Sequence, residues 1–148
     1  MTQPPMSDHG LDLLMQREGK RNEAYLDSKG IVTIGVGHVD PTVQLGDVWT
    51  DEQVAEALRK DLAWVDGCMA LVTVPLMAFQ SDALRSFIFN IGGGAWGSST
   101  MLRLLNEGAP MDEVAAQFDS WHVPAEITSR RNGEKAQFMG TAFEARIA

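Results

Sequence analysis

Two carboxylates near the N-terminus, Glu18 and Asp27, stand in surroundings different enough to work as a pair. Ser7 or Asp8 can cap a helix whose apolar positions Leu11, Leu14 and Met15 recur at helical spacing. Glu18 falls four residues after Leu14 and seven after Leu11. That spacing places a carboxyl group on the apolar face of the last turn, with Gly19 as the stop. Desolvation at such a place favours the neutral, proton-bearing form. Asp27 instead opens a polar turn, Asp27-Ser28-Lys29-Gly30, where it stays ionised. A carboxyl that keeps its proton beside one that has lost it is what an acid and a base facing a single bond require. Twenty acidic residues make carboxylate pairs easy to find, however. The patterning alone leaves a second reading equally open, in which Glu18 pairs with Arg17 or Arg21 and Asp27 only caps its turn.

The elements that position these groups follow from periodicity. Ala24 to Asp27 and Ile31 to Val36 read as two short strands around the turn, the second rich in β-branched residues. Thr33 lies near the middle of the second strand and faces away from Val32 and Ile34. A third short strand at Gln44 to Val48 is weakly signalled. Thr50 and Gln53 form a capping box for a helix carrying Val54, Leu58, Leu62 and Val65. After the break at Thr73 to Pro75 comes an apolar helix with Phe79, Leu84, Phe87, Ile88 and Ile91, ended by Gly92 to Gly94, which reads as the central buried helix. Further helices are expected from Ser98–Thr100 to before Gly108, over Met111 to Phe118 and over Ser129 to Phe138, with a short helix or tail at 140–148. Residues 1–6, with Pro4 and Pro5, read as a flexible N-terminal tail, and the whole of 1–148 as a single domain, its length also allowing two lobes on one core.

Other residues have blander readings. His38, after two glycines, reads as a structural histidine paired with an acid that braces the hairpin. Three histidines (His9, His38, His122) without ligand spacing give no metal site, and no cofactor motif is present. Gly35-x-Gly37 opens no helix and is no phosphate loop. Arg130 and Arg131 read as a helix start paired with Glu134, Trp96 and Trp121 as core, and Cys68 as a small buried residue on a helix.

A net charge of −8 over 148 residues excludes a nucleic-acid partner that needs a basic face. It also excludes electrostatic capture by an anionic membrane. The N-terminus is too short and polar for an export signal, so a cytoplasmic start is expected.

Several motifs in order are similar to those of phage-type lysozymes, glycoside hydrolase family 24. They are Glu18-Gly19, Ala24-Tyr25-x-Asp27, Gly30 and Thr33-Ile34-Gly35-Val36-Gly37-His38, with a Glu-x8-Asp-x5-Thr spacing met by Glu18, Asp27 and Thr33. Ser86-Phe87-x-Phe89-Asn90-Ile91-Gly92, Ser98-Ser99-Thr100-x-Leu102, Ala116-x-Phe118, Trp121 and Arg130-Arg131-x-x-Glu134-x-x-x-Phe138 follow, so that the resemblance spans residues 8–140. It implies an α+β lysozyme-like fold: a small β-hairpin lobe and a larger, mainly helical lobe with a cleft between them, joined by the helix from about Thr50. It implies that Glu18 protonates the glycosidic oxygen between N-acetylmuramic acid and N-acetylglucosamine, while Asp27 and Thr33 stabilise developing charge or hold and activate a water, with inversion the favoured outcome. The implied partner is bacterial peptidoglycan and the implied role that of an endolysin. No cofactor, no metal, no stable membrane binding and a monomer are expected. Release from the host cytoplasm to the periplasm and wall would depend on a holin-like pore.

Two other readings remain: a lytic transglycosylase leaving an anhydro sugar, for which a water-holding pair would be idle, and a non-catalytic wall-binding phage protein. The chain also departs from many relatives. Pro124-Ala125-Glu126-Ile127 stands where they carry Pro-Gly-Leu, the charge is acidic where many are basic, and no basic or amphipathic tail is evident in 134–148.

Overall fold

The Ser7 hydroxyl accepts a hydrogen bond from the Gly10 N–H at 3.0 Å and so caps the first helix, α1 (Asp8–Glu18). Gly19 ends it at φ +80°, its N–H returning to the Met15 carbonyl at 2.8 Å. The computed structural model describes residues 2–140, and the helix or tail expected at 140–148 falls almost wholly outside them. The chain separates into two compact units. One is Leu11–Ala63; the other joins the residues up to Gly10 with those from Trp64 onward.

The Leu11–Ala63 unit is built on a hairpin. Strand β1 (Arg21–Leu26) pairs antiparallel with β2 (Val32–Gly35), Tyr25 opposite Thr33 and Leu26 opposite Val32, with an irregularity between Arg21 and Tyr25. One face of the hairpin buries Ala24, Ile34 and Val43, with Val32 and Trp49 against them. β1 begins three residues before the sequence reading put it, because Asn22 gains partners beyond the hairpin: its carbonyl accepts from the Trp49 N–H at 2.7 Å. The third strand does not form. Gln44 to Val48 turns through Gly46 at φ +97° and contributes one bridge, Glu23 with Val48. Helix α2 (Asp51–Asp61) packs on β2 and starts at the expected capping box, Thr50 Oγ1 accepting from Gln53 N–H at 3.1 Å and Gln53 Oε1 from Thr50 N–H at 2.8 Å.

The expected helix through Val65 breaks at Leu62, and α3 (Ala63–Met69) starts anew. Leu62 and Val65 are both buried, so the apolar spacing runs across the break. In the other unit, α4 (Ala78–Ile91) is buried continuously from Ser81 to Ile88 and packs on α8 (Thr128–Phe138). Phe87 lies edge-on to Trp96, Phe118 and Trp121, with centroids 6.3, 5.1 and 5.7 Å away; Trp96 is fully buried core as expected, whereas Trp121 is only half-buried. Two further helices are α6 (Thr100–Asn106), capped by Ser99, and α7 (Met111–Ala116). The Met111–Phe118 stretch tightens to a 3-10 turn from Gln117. The glycine run after Ile91 was expected only to end a helix. It also forms a short one, α5 (Gly93–Gly97), around Trp96, whose indole N–H donates to the Cys68 carbonyl at 3.0 Å. Cys68 sits on α3 but is only half-buried, and burial pushes its thiol pKa up.

The N-terminal residues are not a loose tail. Gln3 is buried: its amide donates to the Val72 and Val74 carbonyls at 3.3 and 2.8 Å and accepts from the Leu76 N–H at 3.2 Å. The Pro4 carbonyl accepts from Ser81 and Arg85, and Ser7 donates through both backbone and hydroxyl to the buried Asp82. Proline-rich composition hid this docking, because the partners lie about 70 residues away in sequence.

Candidate active site

The three residues singled out for chemistry all lie in the Leu11–Ala63 unit. Glu18 is the last residue of α1 and is half-buried, as expected for a carboxyl at the edge of an apolar face. Arg21, one of the two cations offered as its partner, lies over the Tyr25 ring.

Asp27 and Thr33 are brought together by the backbone of a single residue, Ile31. One Asp27 oxygen, Oδ1, accepts from the Ile31 N–H at 2.9 Å and from the Lys29 N–H at 2.8 Å. The Thr33 hydroxyl donates to the Ile31 carbonyl at 2.9 Å. The same peptide group closes the turn, since the Asp27 N–H also donates to the Ile31 carbonyl at 2.9 Å. Gly30, at φ +78°, supplies the left-handed backbone this turn needs. Thr33 is 3% exposed and points away from the face that buries Ile34.

Chemically, these bonds decide what each group can still do. The Thr33 hydroxyl has spent its proton on Ile31 and can offer only lone pairs. Asp27 has one oxygen held by two N–H groups, while Oδ2 has no partner among the described residues. One acceptor on the turn and one on β2 are thereby left for a molecule that donates two hydrogen bonds.

The glycine-rich end of β2 is held by His38. Its backbone exchanges hydrogen bonds with Ile34, and its Nδ1 meets Asp61 Oδ2 of α2 at 2.8 Å. The ring lies 5.4 Å from Trp49, and Asp40 Oδ2 is 3.7 Å from Nε2. The expected histidine–acid brace is present; sequence could not say which acid, because Asp61 lies 23 residues on.

A family model described as phage lysozyme matches residues 15–134, which include Glu18, Asp27 and Thr33. The chain belongs to the phage lysozyme family. Among similar proteins, the endolysin of Salmonella phage P22 is 42% identical over 142 residues, covering 90% of this chain and 97% of that protein. The endolysin of Acyrthosiphon pisum secondary endosymbiont phage 1 is 38% identical over 144 residues, with the same two coverages, 90% and 97%. Among solved structures, a crystal structure of a P22 lysozyme variant superposes with a TM-score of 0.86 at 41% identity, covering 92% of this chain and 99% of that one. The muramidase domain of SpmX from Asticaccaulis excentricus gives 0.79 at 36% identity, covering 90% and 97%.

The phage lysozyme motifs of the second unit meet one another. Glu134, fully buried, accepts from the Ser86 hydroxyl at 2.6 Å, from Arg130 Nε at 3.1 Å and from Arg131 Nη1 at 2.5 Å. Arg131 also donates to Asn90 and lies over the Phe87 ring, 5.0 Å from its centroid. Both arginines pair with Glu134, as the plainer sequence reading held, and they also tie α8 to α4.

Proposed function

We propose that this phage lysozyme hydrolyses the β-1,4 bond between N-acetylmuramic acid and N-acetylglucosamine in peptidoglycan, with Glu18 as general acid and Asp27 and Thr33 holding the attacking water. The family match makes the chain a glycoside hydrolase; the roles of the three residues are our reading of the geometry. The observation that carries it is the shared Ile31 backbone, which anchors Asp27 and Thr33 to one residue and leaves Asp27 Oδ2 and Thr33 Oγ1 as acceptors.

Glu18 gives its proton to the glycosidic oxygen as the bond from that oxygen to the anomeric carbon breaks. A water then donates one hydrogen to Thr33 and the other to Asp27, which turns its lone pair toward the anomeric carbon. As the new carbon–oxygen bond forms, Asp27 takes the water's proton. Attack on the face opposite the departing sugar inverts the anomeric centre. The endolysins among the relatives suit a phage role, with the enzyme reaching the wall from inside the host through a partner's membrane pore and acting as a monomer and a single catalytic domain. Among the described residues no helix is long and apolar enough to cross a membrane.

The test is turbidity loss of permeabilised Gram-negative cells, with mass spectrometry of the products. Glu18→Gln is expected to lower the rate about 10²–10⁴-fold, the usual worth of one acid–base group. A variant as fast as the parent removes Glu18 from the mechanism, and anhydro-muramyl products replace hydrolysis with transglycosylation.

A further inference from the structure

Arg21 is an exposed arginine held in place by an aromatic ring rather than by an acid. Its guanidinium carbon lies 4.1 Å from the centroid of the Tyr25 ring. No ion pair or hydrogen bond of its side chain occurs among the described residues. That is unusual in a chain of net charge −8. Lys20, Arg85, Arg103 and Arg131 each meet a carboxylate, at 2.6, 2.9, 3.0 and 2.5 Å. With acidic groups in such excess, a guanidinium that meets none keeps its five donors available.

Its location gives that availability a use. Tyr25 is the cross-strand partner of Thr33, so the two side chains share a face of the hairpin. The opposite face is the one that buries Ala24 and Ile34. The Tyr25 ring therefore carries Arg21 onto the face that bears Thr33. A cation stacked on a ring has less freedom to lose on binding than one on a free stem, and a planar guanidinium matches a carboxylate with two parallel hydrogen bonds. The glycan backbone of peptidoglycan offers hydroxyl and N-acetyl groups, whereas its stem peptides carry free carboxylates.

We infer that Arg21, presented by Tyr25 beside Thr33, binds a stem-peptide carboxylate of the wall and so selects peptide-bearing strands. This rests on the hydrolase reading above and adds to it a contact that recognises the peptide.

The experiment compares the parent with Arg21→Gln, Arg21→Lys and Lys60→Gln on purified sacculi, either native or with their carboxylates amidated. Lys60 is an exposed cation on α2 of the same unit, so its variant removes the same charge without the ring-held site. On native sacculi Arg21→Gln is expected to raise KM several-fold with kcat unchanged, Arg21→Lys to recover part of the loss, and Lys60→Gln to stay near the parent. Amidation should close the KM gap between the parent and Arg21→Gln, since any effect of bulk charge falls on both. An Arg21→Gln variant that matches the parent on native sacculi overturns the inference. So does an equal shift in Lys60→Gln, which makes the effect one of bulk charge, or a KM gap that survives amidation. A parent that cleaves neither substrate overturns the hydrolase reading itself, and a parent that cleaves while Arg21 proves indifferent overturns only the peptide contact.

Discussion

At the scale of single residues, the site depends on which lone pairs are left over. Thr33 presents only acceptors because its proton is directed to the Ile31 carbonyl. Thr33→Ser preserves that arrangement and is expected to retain most of kcat. Thr33→Val keeps the shape without the oxygen and is expected to lower kcat on sacculi by about 10²-fold or more, as loss of a positioned acid–base partner does. Equal rates for the two variants would remove the hydroxyl from the reaction. Asp51 offers a separate residue-scale check. The Lys20 ammonium at 2.6 Å, with Asn22 beside it, holds its carboxyl below the usual carboxylate range. A carboxyl lowered in the folded state adds stability above its unfolded value of about 3.9, and that stability is lost as pH falls through the folded value. Lys20→Ala should move the Asp51 carbon resonance titration upward by NMR. Glu18, Asp27 and Thr33 stand out in the sequence as candidates by their spacing and by family likeness. The service of Ile31 to both Asp27 and Thr33 does not, because it uses only backbone atoms.

At the scale of elements, helices with a capping signal were readable and breaks without one were not. Thr50 with Gln53 and Ser99 before Leu102 announced their helices, and both caps are formed. The break at Leu62 left no trace, because buried Leu58, Leu62 and Val65 continue one apolar spacing through it. α5 defied propensity, since its glycines disfavour helix and only Trp96 packing holds it. The start of α1 yields a prediction that runs against propensity. Gly10→Ala in a helix ordinarily gains up to about 1 kcal/mol. Here the new methyl group would lie 2.4 Å from Asp82 Cγ, and Ser7 holds that carboxylate in place. Overpacking of this kind costs about 1–3 kcal/mol, so a net loss of stability is expected in urea unfolding. A gain would mean that Asp82 yields. Between α4 and α8, Glu134→Ala strips the carboxylate from two arginine side chains in one step. Breaking a buried pair of this kind costs about 3–5 kcal/mol, readable as a large fall in the denaturation midpoint.

At the scale of the whole molecule, the acidic charge and the wall's own carboxylates repel. With −8 on the enzyme, encounter should be slowest at low ionic strength. The Debye length shortens from about 30 Å at 0.01 M salt to about 8 Å at 0.15 M. Over that range the initial rate on dilute sacculi is expected to rise, while the KM gap between the parent and Arg21→Gln narrows. A rate that falls monotonically with salt would show that attraction governs the encounter. Composition told this charge correctly, but it could not tell that the first residues are docked. Gln3 holds three backbone groups of the Val72–Leu76 segment, contacts that no local pattern encodes.

The backbone of Ile31 separates two kinds of tolerance at one position. The residue is 42% exposed, whereas its N–H and carbonyl hold Asp27 and Thr33. In a library randomised at this codon, nearly every side chain should survive a lysis screen. Proline alone deletes the N–H that fixes Asp27, and should give a folded lysozyme that no longer lyses although Glu18, Asp27 and Thr33 are all intact. A site of this kind can drift freely in the letter at position 31 while its chemistry stays fixed.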